Sequence, residues 1–303
     1  MSKTPSVQIQ SIDHFDCQCT FHDTPLSLAN SLRRILIAEV PVMAIDEVYI
    51  MDNTSVMIDE MIAHRLGLLP LVSTHADQFV TAIQCNCVSG CNRCCVSFKL
   101  DVTCPPDEPF CLVTSRDIQP VDNPEVDLRV NMEAVRSVVP VEFPPLASTP
   151  AESAIVIAKL IPGQTIQLLA KARKGVGKQH AKWSATSTTA LSHQPRVRVN
   201  RQILSSLDRA SQEAIAQSCP TNVFSVSPQF DIEDANRCMF CKECVKAATK
   251  QGAPSLLDIS AEEDIYHMNI ESTGCMPPDQ LLLRAIQVLR DKLETVRSPV
   301  PKM

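Results

Sequence analysis

Five cysteines fall within the eleven residues 85 to 95, as Cys85-x-Cys87-x3-Cys91-x2-Cys94 with Cys95 adjacent. A polar, turn-rich stretch punctuated by Gly90 offers no apolar core for so many thiols, so their spacing reads as metal ligation. Four thiolates complete a tetrahedral shell and leave no position open for water, which makes such a centre structural and not hydrolytic. Cys85, Cys87, Cys91 and Cys94 are the expected zinc set, with Cys95 as a substitute, since spacing alone does not settle Cys94 against Cys95.

A second cluster is Cys238-x2-Cys241-x2-Cys244, preceded by Cys219-Pro220. A continuous ferredoxin run would place its next cysteine at Ala248, so Cys219 is the natural fourth ligand. Three thiols at ferredoxin spacing plus a distant Cys-Pro fit a [4Fe-4S] cluster, and four sulfurs also suit zinc. Cys111 and Cys275 remain outside both sets.

At 303 residues the chain has length for about two domains. With 45% hydrophobic and 20% charged residues it is globular in composition, too apolar for wholesale disorder. Only 7 glycines occur, and Gly175 and Gly177 are followed by His180 where a dinucleotide fingerprint needs a third glycine. No Walker loop, His-Glu-x-x-His or Gly-x-Ser-x-Gly string is present, nor the grouped aspartates that two-metal nucleotidyl transfer requires. A net charge of -6 argues against whole-chain electrostatic binding of nucleic acid. The N-terminus lacks an apolar signal core and no stretch approaches a membrane span, so a soluble intracellular protein with reduced cysteines is expected.

Alternation predicts strands over Val7–Gln10 and Phe15–Phe21, the second burying Cys17 and Cys19, and again at Val96–Cys104, Ile166–Ala170 and Ile265–Ile270. Thr24 as N-cap and Pro25 at the first helical position open a helix that ends before Pro41. Leu28, Leu32, Ile35, Leu36 and Glu39 share one stripe of it; Asn30, Arg33, Arg34 and Ile37 lie on another side. A short helix capped by Asp59 runs through Leu66, and His64 on it carries no defensible chemistry. Prolines from Pro105 to Pro150 predict a small loop-rich β region. A final helix opens at Pro277-Pro278-Asp279 and spaces Leu282, Ala285, Ile286, Leu289, Leu293 and Val296 by three and four, a stripe that wants another helix. Between 171 and 201, Lys171, Arg173, Lys174, Lys178, Lys182, Arg196, Arg198 and Arg201 meet no carboxylate, which suggests an acidic protein neighbour more than DNA.

The strings Leu28-Ala29-Asn30-Ser31-Leu32-Arg33-Arg34-Ile35-Leu36 and Asp59-Glu60-Met61-Ile62-Ala63-His64-Arg65-Leu66-Gly67-Leu68-Leu69-Pro70-Leu71 resemble the α-motif region of the α-like subunits of multisubunit RNA polymerases. Lys174-Gly175-Val176-Gly177-Lys178-Gln179-His180-Ala181-Lys182-Trp183 and the terminal strand and helix resemble that family too. Within it, the first cysteine loop is similar to the zinc loop of the third-largest subunit of eukaryotic RNA polymerase II. The cluster of Cys219, Cys238, Cys241 and Cys244 resembles the ferredoxin-like insert carried by the archaeal counterpart of that subunit.

The resemblance implies an α+β fold with a split dimerisation domain, residues 1–40 and 256–303. A β-rich insert domain, 41–200, carries the zinc loop at 85–95, and 201–255 forms the cysteine-cluster segment. It implies a noncatalytic assembly subunit that pairs with a smaller α-like subunit, forming the platform for the large catalytic subunits beside small zinc-binding ones. DNA is then met only through the complex, in the nucleus or, for an archaeal protein, the cytoplasm. Leu282, Ile286, Leu289 and Leu293 are the expected helical seam, with Leu32 and Leu36 beneath, while Arg33 and Arg34 resemble the basic pair near the large subunits. The competing class is an iron-sulfur electron-transfer or redox subunit, which explains the second cluster but neither the first loop nor the terminal stripe.

Overall fold

The computed structural model describes residues 4–88, 90–122, 131–144 and 154–297. Strands β1 (Ser6–Ile12) and β2 (Asp16–His22) precede helix α1 (Leu26–Ala38) and strand β3 (Pro41–Asn53). Helix α2 (Asp59–Gly67) follows, then β4 (Cys95–Thr103), β5 (Cys111–Thr114), β6 (Gln119–Val121) and α3 (Met132–Arg136). Next come β7 (Val156–Leu160), β8 (Thr165–Val176) and β9 (Thr186–Val199). Short elements α4 (Arg201–Ser205), α5 (Arg209–Gln217), β10 (Phe224–Ser225), β11 (Asp231–Ile232) and α6 (Glu243–Lys250) lead to β12 (Leu257–Ser272) and α7 (Pro278–Arg297). The class is α+β.

Two compact units partition the chain: residues 1–9, 19–29 and 191–268 form one, and residues 10–18, 30–190 and 269–303 the other. One sheet is ordered β1-β2-β12-β9. In the larger unit a second sheet runs β3-β8-β4-β6, antiparallel throughout. Ile166, Leu168, Ala170 and Ala172 of β8 alternate inward, and Phe98 and Leu100 of β4 lie opposite Ala170 and Leu168. Ile62 and Leu66 of α2 enter the same apolar core, spaced four apart on one helix face. The smaller unit has its own core of Ile215, Val223, Phe230, Ala248 and Leu256, among others.

Several local expectations change. The Thr24 hydroxyl donates to the His22 carbonyl, and the Pro25 carbonyl accepts the first helical bonds from Leu28 and Ala29. Asp59 is the first residue of α2, not its cap; its carboxylate accepts from Asn53 Nδ2 at 2.7 Å. The proline-rich tract holds β5, β6 and the unforeseen helix α3, whose N-cap Asn131 accepts from the Glu133 amide. Its parts at 123–130 and 145–150 lie outside the described residues. Strand β8 continues six residues past Ala170, so Lys171, Arg173 and Lys174 of the basic run stand on paired strand, as do Arg196 and Arg198 on β9.

Candidate functional site

The cysteine loop hangs from β4. A single 3-10 turn at Ala82–Gln84 delivers Cys85, and the amides of Cys94 and Cys95 both donate to the Cys91 carbonyl at 3.0 Å, folding the second pair back on the first. Val80 N–H on the Arg93 carbonyl closes the neck at 3.1 Å. The Sγ atoms of Cys85, Cys87, Cys91 and Cys94 then lie within 4.8 Å of one another. Individual separations are 3.4 Å for Cys85–Cys87, 3.6 Å for Cys85–Cys91, 3.4 Å for Cys87–Cys94 and 3.9 Å for Cys91–Cys94. A tetrahedron with metal–sulfur bonds near 2.3 Å has an edge of roughly 3.8 Å, so the thiols already outline a zinc-sized shell.

Cys95 is placed elsewhere. Its thiol is fully buried and donates to the Cys91 carbonyl at 3.5 Å, beneath Gly90. Gly90 has φ +95°, a conformation that suits glycine, and a Cβ there would stand 2.8 Å from the Cys95 sulfur. Hydrogen bonds from Cys85 and then Cys94 draw the Cys87 thiol down to about 7, while burial pushes Cys91 and Cys94 up. Four such thiols cannot all ionise without a cation among them, and a metal ion such as zinc supplies one. The donor set therefore fits a structural metal.

The second set is arranged differently. Among the described residues, Cys219, Cys238, Cys241 and Cys244 do not gather to the close sulfur spacing of the first four. They remain one neighbourhood: burial first, then the charges of Cys219, Cys238 and Cys241, push the Cys244 thiol up to about 11. Burial raises Cys219 as well, but the amide of Val223, at 3.5 Å from its sulfur, and the Thr221 hydroxyl outweigh it and leave that thiol below its ordinary value. Phe240 and Lys242 flank exposed Cys241 with φ of 59° each.

Helix α7 presents two characters along one stripe. Its first half is fastened to its own unit: Leu281 and Ala285 are fully buried, Leu282 is 7% exposed, and Arg284 pairs with Asp77. Beyond that, Ile286 is exposed, Leu289 half-buried, Leu293 62% exposed and Val296 85% exposed. Lys292 Nζ reaches Glu39, just past α1, at 2.7 Å. In α1, Leu32 and Leu36 are buried, Arg33 donates to Asn30 Oδ1 at 3.0 Å, and Arg34 is exposed.

Much of the basic stretch, read in the sequence as a surface for an acidic neighbour, is met within the chain. Arg173 pairs with Glu47 at 2.7 Å, Lys182 with Asp46 at 2.6 Å, Arg201 with Asp231 at 2.7 Å, and Arg196 with Glu262. Lys174 donates to the Phe79 carbonyl at 3.0 Å, and its burial lowers its proton affinity. Sequence reasoning could not find these partners, because the acids come from distant strands. It also missed the packing of Trp183, whose ring covers Gly175 so closely that a Cβ would stand 2.4 Å from it. The indole N–H donates to the Arg173 carbonyl at 3.0 Å.

Among the described residues no helix is long and apolar enough to cross a membrane. The family model of the RNA polymerase Rpb3/Rpb11 dimerisation domain matches residues 19–293. The chain is 37% identical to DNA-directed RNA polymerase II subunit rpb3 of Dictyostelium discoideum, over 98% of its own length and 95% of that protein's. It is 35% identical to subunit 3 of RNA polymerases II, IV and V of Arabidopsis thaliana, with 97% and 90% covered. Similarity extends to the archaeal subunit Rpo3 of Methanosphaera stadtmanae, at 31% identity with 88% of each chain covered.

Proposed function

The chain belongs to the RNA polymerase Rpb3/Rpb11 dimerisation family and is a noncatalytic assembly subunit of DNA-directed RNA polymerase; from that premise we propose how its surface does this work. Helix α7, with α1 beside it, pairs with a smaller Rpb11-like subunit, and the pair forms the platform on which the large catalytic and small zinc-binding subunits assemble. The pairing domain comprises residues 1–40 and 256–303, the insert 41–200, and the cysteine-cluster segment 201–255. DNA is met only through the complex, and by the RNA polymerase II relatives its place is the nucleus.

One observation carries this reading: the stripe Ile286, Leu289, Leu293 and Val296 keeps helical spacing after the helix has left its own core. Apolar residues at positions three and four apart on an exposed helix mark a seam for another helix. Co-expression with the small α-like subunit tests it. Wild-type chain should co-purify in equal amount, and Leu293→Asp, at an exposed site that folding does not need, should abolish recovery of the partner. Undiminished recovery would sink the reading.

Two metals serve the platform. Cys85, Cys87, Cys91 and Cys94 would hold zinc, which would stiffen the loop leading into β4. At Cys219, Cys238, Cys241 and Cys244 the wider sulfur spacing favours a [4Fe-4S] centre over mononuclear zinc, because thiolates bound to separate irons stand farther apart than those sharing one ion. Either group, when bound, supplies cross-linking of loops and not turnover. Cys219 and Cys244, both buried, would hold it from the inner side, and the Val223 amide favours the thiolate form of Cys219.

A further inference from the structure

The apolar positions on α7 recur as Leu282, Ile286, Leu289, Leu293 and Val296, at spacings of four, three, four and three. This is the seam pattern of a coiled coil, and it fixes which residues flank the contact. Arg290 follows Leu289, Lys292 precedes Leu293, and Arg297 follows Val296, so every flanking position beyond Ile286 is cationic. The acids of this half, Asp291 and Glu294, fall on the outer side, where Asp291 accepts from Gln287 at 2.7 Å and Glu294 from Arg290 at 3.1 Å. Lys292 is also met by Glu39. The Arg290–Glu294 pair is solvent-exposed and weak, whereas Lys292 is held by both oxygens of half-buried Glu39, so Arg290 and Arg297 are the cations left to meet whatever covers the stripe.

We propose that α7 selects its partner by charge: the seam takes an amphipathic helix flanked by carboxylates and rejects a second copy of itself. The proposal rests on the pairing read above and deepens it. Two α7 helices laid parallel would set Lys292 against Arg290 or Arg297, and laid antiparallel would set arginine against arginine. Both registers bring like charges together beside an apolar contact, where repulsion discriminates between partners more than it changes the affinity of the right one. A carboxylate-flanked helix meets opposite charge in either direction.

The test uses the full chain carrying Arg290→Glu and Arg297→Glu, two exposed positions, with helix content checked by circular dichroism. Binding to the co-purified small α-like subunit should weaken about tenfold or more at low salt, with the deficit shrinking as the Debye length falls to about 3 Å near 1 M salt. Mixing the variant with wild-type chain should give a discrete 1:1 dimer that wild type alone does not form. Unchanged affinity for the small subunit, while Leu293→Asp still abolishes binding, would overturn charge selection and leave pairing intact. A discrete wild-type homodimer through α7 would overturn it as well. Binding insensitive to Leu293→Asp would instead bring down the pairing itself, and this proposal with it.

Discussion

Cys94 and Cys95 are chemically identical neighbours, and the turn that closes on the Cys91 carbonyl decides which of them faces the other three thiols. The existence of a four-sulfur cluster is legible in the sequence, because its ligands are local and their spacing is the signal. The choice between the adjacent pair is not, since it depends on the left-handed Gly90 and the space it leaves for the Cys95 sulfur. Cys94→Ser should therefore lower zinc content by close to one equivalent per chain in elemental analysis, while Cys95→Ser should retain the metal. The reverse pattern would reassign the ligand. Gly90→Ala should cost about 1–3 kcal/mol through its positive φ, before the overlap with Cys95 is counted. Proton competition adds a sign: burial keeps Cys91 and Cys94 protonated in the metal-free loop, so binding a metal releases protons and its affinity must fall on acidification. Zinc affinity that rose as pH fell would contradict thiolate ligation.

At the scale of elements, helices and strands whose period spans several turns are readable, and their long-range fastening is not. The three-and-four spacing in α7 announces a helix with one apolar stripe, but Leu282 and Leu293 look alike in sequence, and only the fold separates the one packed at home from the one exposed. The basic stretch is hard to read for a related reason. Its cations are close together in sequence while the carboxylates that hold them lie 136 residues away for Lys182, 66 for Arg196 and 30 for Arg201. Strand β8 and the turn after it are shaped by such contacts, with Trp183 lying on Gly175 as the tightest. Gly175→Ala should destabilise by about 1–3 kcal/mol through overpacking, seen as a thermal midpoint lowered by roughly 2–4 °C for each kcal/mol. No shift in the melting curve would mean that the indole can step aside.

For the whole molecule, the claim is that an assembly subunit leaves part of its own structure for a partner to complete. The larger unit has a sheet core of its own and the smaller unit a separate one, yet toward the end of α7 Leu293 is 62% and Val296 85% exposed. Short helical segments are marginal in water without tertiary packing, so this end should open readily in the isolated protein. Amide hydrogen exchange across the chain, measured at low micromolar concentration with and without the small α-like subunit, reads this directly. Residues 286–297 should exchange fast in the chain alone and be strongly protected in the complex, with little change at the cysteine loop of residues 85–95. Protection appearing at that loop or on α2, with 286–297 unchanged, would contradict it.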